Sequence, residues 1–346
     1  MKVFIRTYGC NFNKRDSENM KGVLENNLFE IVDTEEEADI IVVNSCGVKT
    51  VTQNKIISYI QTRDKPVYVG GCLPKMIDLT NITNVEGVFD PNTISELAEQ
   101  IKEKKLKNFS AEKEHRLNEP IVTDEDGLLI VPISQGCLGN CHFCSVKYVR
   151  GRLQSYRVGD IVREITNSSS ERIDLTSQDT GCYGFDIDTN LAELINQIVK
   201  IDRDFIVRVG MMSPEHVLKF MPELIESYKH PKVKKFLHLP LQSGSDKVLK
   251  EMNRPYTIEQ FKYIVSEFRK AIPEIHIATD IIVCYPTETE EDFQDTVNVM
   301  EELKFEVVNL SRYAARPKTY ATLNYEKELP VDVVKRRSQI IYQMIK

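Results

Sequence analysis

The chain has 346 residues, 41% of them hydrophobic and 28% charged, and carries a formal net charge of −7. That length is enough for two domains with a core each, and no apolar run approaches the ~20 residues a membrane helix needs. The acidic balance excludes a generally basic nucleic-acid coat, but not a local basic patch, which is what phosphate contacts require. Met1-Lys2-Val3-Phe4-Ile5-Arg6 is too short and too early interrupted for a signal peptide, so a cytoplasmic location is expected. Eight cysteines fall at 10, 46, 72, 137, 141, 144, 182 and 284. In a reducing compartment such thiols serve as metal ligands or catalysts more often than as disulfides.

Residues 1–121 read as short apolar strands alternating with helical segments. Strands are expected at Lys2–Tyr8, Phe29–Val32, Asp39–Asn44, Pro66–Gly70 and Val85–Phe89. Helices are expected at Asp16–Asn26, Glu35–Ala38, Thr52–Arg63, Leu73–Leu79 and Asn92–Lys105. That alternation on short connections indicates an open parallel-sheet α/β domain covered on both faces. Cys10, Cys46 and Cys72 each lie just beyond the carboxyl end of a strand, the edge where open α/β sheets bind ligands. Gly9, Gly47, Gly70 and Gly71 beside them suit tight turns and close backbone approach. One such cysteine would be an ordinary buried residue near a turn. Three at equivalent positions point to a shared metal site with only three protein ligands.

Lys102–Asn118 is charged and poor in apolar residues, which places the boundary between a first domain, 1–121, and a second, 122–346. The second opens with strand Leu128–Ile133 and runs into Gln135-Gly136-Cys137-Leu138-Gly139-Asn140-Cys141-His142-Phe143-Cys144. Three thiols stand there at C-x3-C-x2-C spacing. A [4Fe–4S] cluster that only passes electrons takes four thiolates; three leave one iron open to a substrate. A Cys3His zinc site using His142 is the alternative, although only Cys141 and Cys144 form a zinc-like pair. Alternation then resumes, with strands Arg172–Thr176, Phe205–Gly210, Lys235–Leu239, His276–Val283 and Glu306–Tyr313. Helices are expected at Val158–Asn167, Leu191–Val199, Pro214–Ser227, Asp246–Met252, Ile258–Arg269 and Glu290–Leu303. Six β/α units, fewer than the eight of a closed barrel, indicate a partial (β/α)6 barrel with an open side. Chemistry in such a fold sits at strand carboxyl ends, which singles out Ser177, Gln178 and Asp179, then Gln242 and Ser243, and Tyr285 and Pro286. Asp179, Gln242 and Ser243 are equally suited to capping turns. Met211 and Met212 read as core. Lys147, Arg150, Arg152, Lys232, Lys234 and Lys235 are the candidate phosphate contacts.

The motifs together resemble one family. Gly9-Cys10-Asn11 with Asp16-Ser17-Glu18, Asn44-Ser45-Cys46 and Gly70-Gly71-Cys72 look like the N-terminal domain of the radical S-adenosylmethionine (SAM) methylthiotransferases (MiaB, RimO, MtaB). Gln135–Cys144 with Arg150-Gly151 resembles that family's radical SAM motif. His238-Leu239-Pro240-Leu241-Gln242-Ser243-Gly244-Ser245 and Thr279-Asp280-Ile281-Ile282-Val283 extend the likeness over essentially the whole chain. Leu175–Gly181 and Arg208–Met211 look most like the archaeal and eukaryotic, MtaB-like branch. The resemblance implies two [4Fe–4S] clusters and SAM. Cys137, Cys141 and Cys144 would bind the cluster that cleaves SAM to a radical. Cys10, Cys46 and Cys72 would bind an auxiliary cluster carrying sulfur on its open iron. Ser177, Asp179, Gln242 and Ser243 would touch SAM. The implied substrate is N6-threonylcarbamoyladenosine beside the tRNA anticodon, converted to its 2-methylthio derivative. The implied partners are a flavodoxin- or ferredoxin-like reductant and a sulfide source. Relatives act on isopentenyladenosine in tRNA or on a ribosomal-protein side chain, and a non-catalytic iron–sulfur or zinc RNA-binding protein is the remote alternative. The family carries a C-terminal RNA-binding TRAM barrel, whereas this sequence stops at Lys346 after the helical segment Val331–Ile345. No TRAM barrel is therefore expected, and RNA affinity would rest on basic residues of the two domains. Cys182 and Cys284 stand where relatives tend to have alanine and glycine, and read as space-filling.

Overall fold

The computed structural model describes residues 1–48, 50–123, 127–325 and 328–345, and Lys346 lies outside them. The chain forms two compact units. The first comprises Met1–Pro132, Ser145–Arg152 and Gly159–Ser170, so it runs past residue 121; the second comprises Ile133–Cys144, Leu153–Val158 and Glu171–Lys346.

The first unit is built on a six-stranded parallel sheet of β1 (Lys2–Thr7), β2 (Glu30–Ile31), β3 (Ile40–Ser45), β4 (Val67–Gly71), β5 (Val85–Phe89) and β6 (Lys107–Asn108), in the order β2-β1-β3-β4-β5-β6. Strands β3 and β4 are buried at every position, as parallel strands covered on both faces must be. One face packs Val3, Ile5, Val42 and Tyr68 on Met20, Leu24 and Leu97; the other packs Ile41, Val43, Val67 and Val69 on Ile56 and Ile60. Helix α1 (Asn11–Asn26) is unusual in burying Asn13, Arg15, Asp16, Ser17, Glu18 and Asn19 beside its apolar residues. Helices α2 (Thr50–Gln61) and α3 (Leu97–Glu103) complete the layers.

Three expectations fail here for local reasons. Glu35–Ala38 and Leu73–Leu79 are turns, not helices; their backbone closes in local turns, with Ala38 N donating to Glu35 O and Met76 N to Leu73 O. The helix expected from Asn92 starts only at Leu97, because the Asp90 carboxylate accepts the Asn92 N–H at 2.9 Å and holds the preceding residues in a turn. Strand β6 was not expected: it is two polar residues long, with no alternation to read.

Later segments of the first unit are β7 (Leu128–Pro132), α4 (Val146–Arg150) and most of α5 (Val158–Thr166). Arg15 on α1 ties β7, α5 and the stretch at Arg116 together, donating to Ile130 O, Glu164 Oε1 and Arg116 O at 3.2, 2.6 and 3.0 Å.

The second unit carries a short antiparallel pair, β8 (Ser134–Gln135) with β9 (Gln154–Ser155), and the strands β10 (Arg172–Thr176), β11 (Ile206–Val209), β12 (Phe236–His238), β13 (His276–Val283) and β14 (Val307–Arg312). β10 pairs with β11 and β12-β13-β14 run side by side, all parallel; Val207 and Val233 bridge the two groups. With helices returning between strands, this is the wall of a partial barrel. Helix starts follow side-chain caps: Thr257 with Gln260 and Thr289 with Asp292 form reciprocal capping boxes. The helix expected over Pro214–Ser227 is broken into Pro214–Val217 and Met221–Lys229. Pro222 has no N–H to continue the first and fits the opening turn of the second.

Candidate active site

In the first unit the strand order reverses at β1 and β3, and Cys10 and Cys46 follow these two strands. That reversal is where doubly wound sheets open a crevice. Cys72 follows β4 and donates its N–H to Ser45 O at 2.8 Å. Gly9 adopts φ 122, and a Cβ there would come within 2.9 Å of the Asn13 amide and 3.2 Å of Cys46 Cβ, so only glycine lets the first and second loops meet. Asn13 holds the loops together. Its Nδ2 donates to Tyr8 O and Ser45 O, both at 3.0 Å, and its Oδ1 stands 4.0 Å from Cys10 Sγ and 3.8 Å from Cys72 Sγ.

Arg150, the last residue of α4, enters the same cluster. Its Nη2 lies 3.2 Å from Asn13 Oδ1, 2.6 Å from Asp16 Oδ2 and 3.9 Å from Cys72 Sγ. Arg116 Nε takes the other Asp16 oxygen at 3.1 Å. Burial pushes the Cys72 thiol up to about 11, although the Arg150 guanidinium opposes it. The thiol is thus neutral until a metal displaces its proton. Three soft sulfur donors, a glycine-lined approach and one buried cation are a donor set that fits an iron–sulfur cluster.

The second unit holds the C-x3-C-x2-C loop. Gly136 N donates to Gln178 Oε1 at 2.5 Å. Cys137 Sγ accepts from Gly139 N at 3.1 Å, and a hydrogen bond from Cys182 keeps the Cys137 thiol below its ordinary range despite burial. A Cβ on Gly139 would meet Cys137 Sγ at 3.2 Å and Cys141 Sγ at 3.8 Å, so these two thiols flank it. Burial pushes the Cys141 thiol up, while Arg254, whose Nη1 lies 3.2 Å from the sulfur, works the other way. His142 anchors the loop: its ring stacks on Tyr320 at 3.9 Å between centroids, and Nδ1 lies 2.7 Å from Glu251 O. Cys144 is half-buried, and its N–H bonds to Cys141 O at 3.2 Å in a tight turn. Here too the residues suit a cluster with three thiolate ligands.

The remaining sequence candidates occupy two turns. Ser177 Oγ accepts from Asp179 N at 3.0 Å. Asp179 is fully buried; it accepts from Gly181 N and Ser213 N at 2.9 and 3.0 Å, pairs with His216 at 2.8 Å and stands 3.9 Å from Cys137 Sγ. Burial opposes its ionisation, but His216 and the backbone donors outweigh this and hold the carboxyl below its usual range. Cys137, Asp179 and Cys182 offer ligand atoms within 4.8 Å of one another. Gln242, at φ 66, bonds through its backbone to Asp280 and Ile282 and buries an Oε1 with no partner among the described residues. Ser243 Oγ accepts from Ser245 N at 3.3 Å. Met212 is core, as expected, while Met211 is only half-buried. Among the candidate phosphate contacts, Arg150 is 2% exposed and faces inward. Lys235 Nζ donates to Tyr228 O, His230 O and Val233 O, closing a helix end. Asn13, Arg254 and His216 were missed. Only Asn13 carried a signal, lying one helical turn beyond Cys10.

Residues 131–300 match the radical SAM superfamily, and residues 2–90 match UPF0004, an uncharacterized protein family. Among solved structures, the radical SAM methyltransferase TsrM from Kitasatospora setae, with cobalamin and a [4Fe–4S] cluster bound, superposes with TM-score 0.62 at 15% identity, over 93% of this chain and 77% of that one. The cobalamin-dependent SAM radical enzyme OxsB gives 0.60 at 12%, over 99% and 56%. At such identities the likeness is of fold alone. Fold and site define the class: a radical SAM enzyme with an additional N-terminal α/β unit. A probable threonylcarbamoyladenosine tRNA methylthiotransferase of Pyrococcus horikoshii is 41% identical over 99% of this chain and 84% of its own length. The corresponding protein of Methanocaldococcus jannaschii is also 41% identical, over 99% and 82%, and the human threonylcarbamoyladenosine tRNA methylthiotransferase is 35% identical over 98% and 61%. The chain belongs to this methylthiotransferase family, whose members use SAM and two [4Fe–4S] clusters. No described helix is long and apolar enough to cross a membrane.

Proposed function

We propose that the chain converts N6-threonylcarbamoyladenosine in tRNA to its 2-methylthio derivative, with Cys137, Cys141 and Cys144 holding the SAM-cleaving cluster and Cys10, Cys46 and Cys72 the sulfur-carrying one. The observation that carries this reading is the meeting of three cysteine loops around Asn13 at the reversal of the first sheet, because a radical SAM fold alone supplies no sulfur. When bound, the two clusters supply reductive cleavage of SAM and a transferable sulfur, which an unactivated aromatic C–H requires.

The protein's own residues hold and tune these groups. Arg254 offsets the anionic charge gathered at Cys141. Asp179 has its oxygens committed to protein partners, so it acts by positioning: it fixes Ser213, His216 and the turn beside Cys137. Gln242 offers a buried acceptor for a donor on SAM, and Ser177 and Ser243 stand at the same kind of strand end. Reductive cleavage calls for a low-potential flavodoxin- or ferredoxin-like donor, and repeated turnover for a sulfide source. A tRNA substrate places the work in the cytoplasm.

The test incubates reduced, cluster-loaded protein with SAM, sulfide and threonylcarbamoyl-modified tRNA and reads nucleosides by mass spectrometry. A methylthio product is expected. Product on isopentenyladenosine tRNA alone would reject the substrate. Cys141→Ala should abolish SAM cleavage, whereas Cys46→Ala should keep cleavage and lose sulfur insertion. Loss of both activities from a folded Cys46→Ala protein would sink the division of labour.

A further inference from the structure

We propose that Arg150 is an anion anchor: its guanidinium binds the anionic sulfur, hydrosulfide or methylthiolate, carried beside Cys10, Cys46 and Cys72. The inference rests on the assignment of those cysteines to the sulfur-carrying cluster and adds what holds its exogenous ligand.

Nη2 is occupied by Asp16, Asn13 and the Cys72 sulfur, whereas Nη1 is buried and has no hydrogen-bond partner among the described residues. Buried N–H donors are almost always paired, so an orphan this deep calls for an acceptor supplied from outside the chain. The acceptor is anionic on grounds of charge. With the cluster bound, three thiolates and the core sulfides outweigh the positive charge of the irons, and the net negative charge repels a further anion unless a cation faces it. Arg150 reaches the Cys72 sulfur, and among the described residues the only carboxylate it pairs with, Asp16, is shared with Arg116.

The guanidinium is also fixed in advance. Asp16 grips one nitrogen, and the Phe12 ring lies 4.5 Å from the guanidinium carbon. An arginine held this way presents its donors without reorganising when the ligand arrives, which a flexible ammonium does not. Methylation of hydrosulfide by SAM gives S-adenosylhomocysteine and, with loss of one proton, a methylthiolate that is still anionic. The same anchor therefore retains the sulfur until its transfer to the carbon radical at C2 gives a neutral thioether and leaves one electron with the auxiliary cluster. Release of the product would then follow from loss of charge at sulfur.

The test uses the cluster-loaded, oxidised full chain with SAM present to cover the other open iron, and no reductant. Radiolabelled methanethiolate is the probe, and binding is read by anaerobic equilibrium dialysis alongside iron counts and Mössbauer spectra. Wild type should hold two clusters and bind one thiolate beside the auxiliary one. Arg150→Gln should keep both clusters and bind methanethiolate at least tenfold more weakly. Arg150→Lys keeps the charge that Asp16 needs, and it should bind about threefold more weakly because the fork is gone. If the glutamine variant does not fold, the lysine variant decides. Unchanged affinity in either folded, two-cluster variant overturns the anchor and leaves the cluster assignment standing. A single cluster in wild type overturns the ligand assignment and the anchor with it.

Discussion

At the scale of single residues, buried charge is concentrated where it has a partner, and Glu288 shows how burial and pairing compete. Its carboxylate meets Arg337 at 2.6 Å and accepts the Cys284 N–H at 2.7 Å. Burial nevertheless raises it to about 6, outweighing both donors. The folded protein therefore binds this proton more tightly than the unfolded chain does, from the ordinary value of 4.5 up to about 6. The contribution is full below 4.5 and is lost as pH rises through 6. The shift corresponds to about 2 kcal/mol. Urea midpoints across that window should fall with rising pH, relative to those of Glu288→Gln. Parallel profiles for the two proteins would show that Glu288 has no such role.

Among the elements, the turn after β13 explains a residue that looked anomalous in the sequence. Cys284 sits at φ 65, a conformation in which side chains cost roughly 1–2 kcal/mol and glycine almost nothing. This backbone favours glycine, and the cysteine that adopts it here is small and buried. Cys284→Gly should leave stability within about 1 kcal/mol of wild type, the relief of strain offsetting lost packing. Cys284→Val should cost more than about 2 kcal/mol, because a β-branched residue fits this region worst. Equal denaturation midpoints for the two variants would refute the account. The contrast also marks what the sequence could disclose. Strand β3 was legible because Ile40–Val43 is an unbroken apolar run, and the cysteine positions because each follows a strand. Local competition hid the start of α3, where one Asp90 oxygen replaces a turn of helix. Contacts between residues far apart in sequence hid Arg254 and His216. Nothing near Arg254 announces Cys141, which lies 113 positions away. Arg150 was legible as a motif and misread as surface, because basic character alone does not tell an inward cation from an outward one.

For the molecule as a whole, the first unit depends on residues far down the chain. Asp16 needs Arg150, and Arg15 needs Glu164, at 2.6 Å each. A fragment of residues 1–121 leaves the Arg15 guanidinium buried without its carboxylate, a loss of about 3–5 kcal/mol by the usual cost of breaking a buried pair. That fragment should show no cooperative unfolding by circular dichroism, whereas residues 1–170 should recover it; a cooperative transition in the shorter piece would contradict this. The reason is the path of the chain: Ser145–Arg152 and Gly159–Ser170 belong to the first unit, while Ile133–Cys144 and Leu153–Val158 belong to the second. No single cut in the gene separates the two. A recombination joining the front of one relative to the back of another brings α1 of one parent against α4 and α5 of the other. Such chimaeras survive only where both parents agree at these few buried charges, so the two units are inherited together.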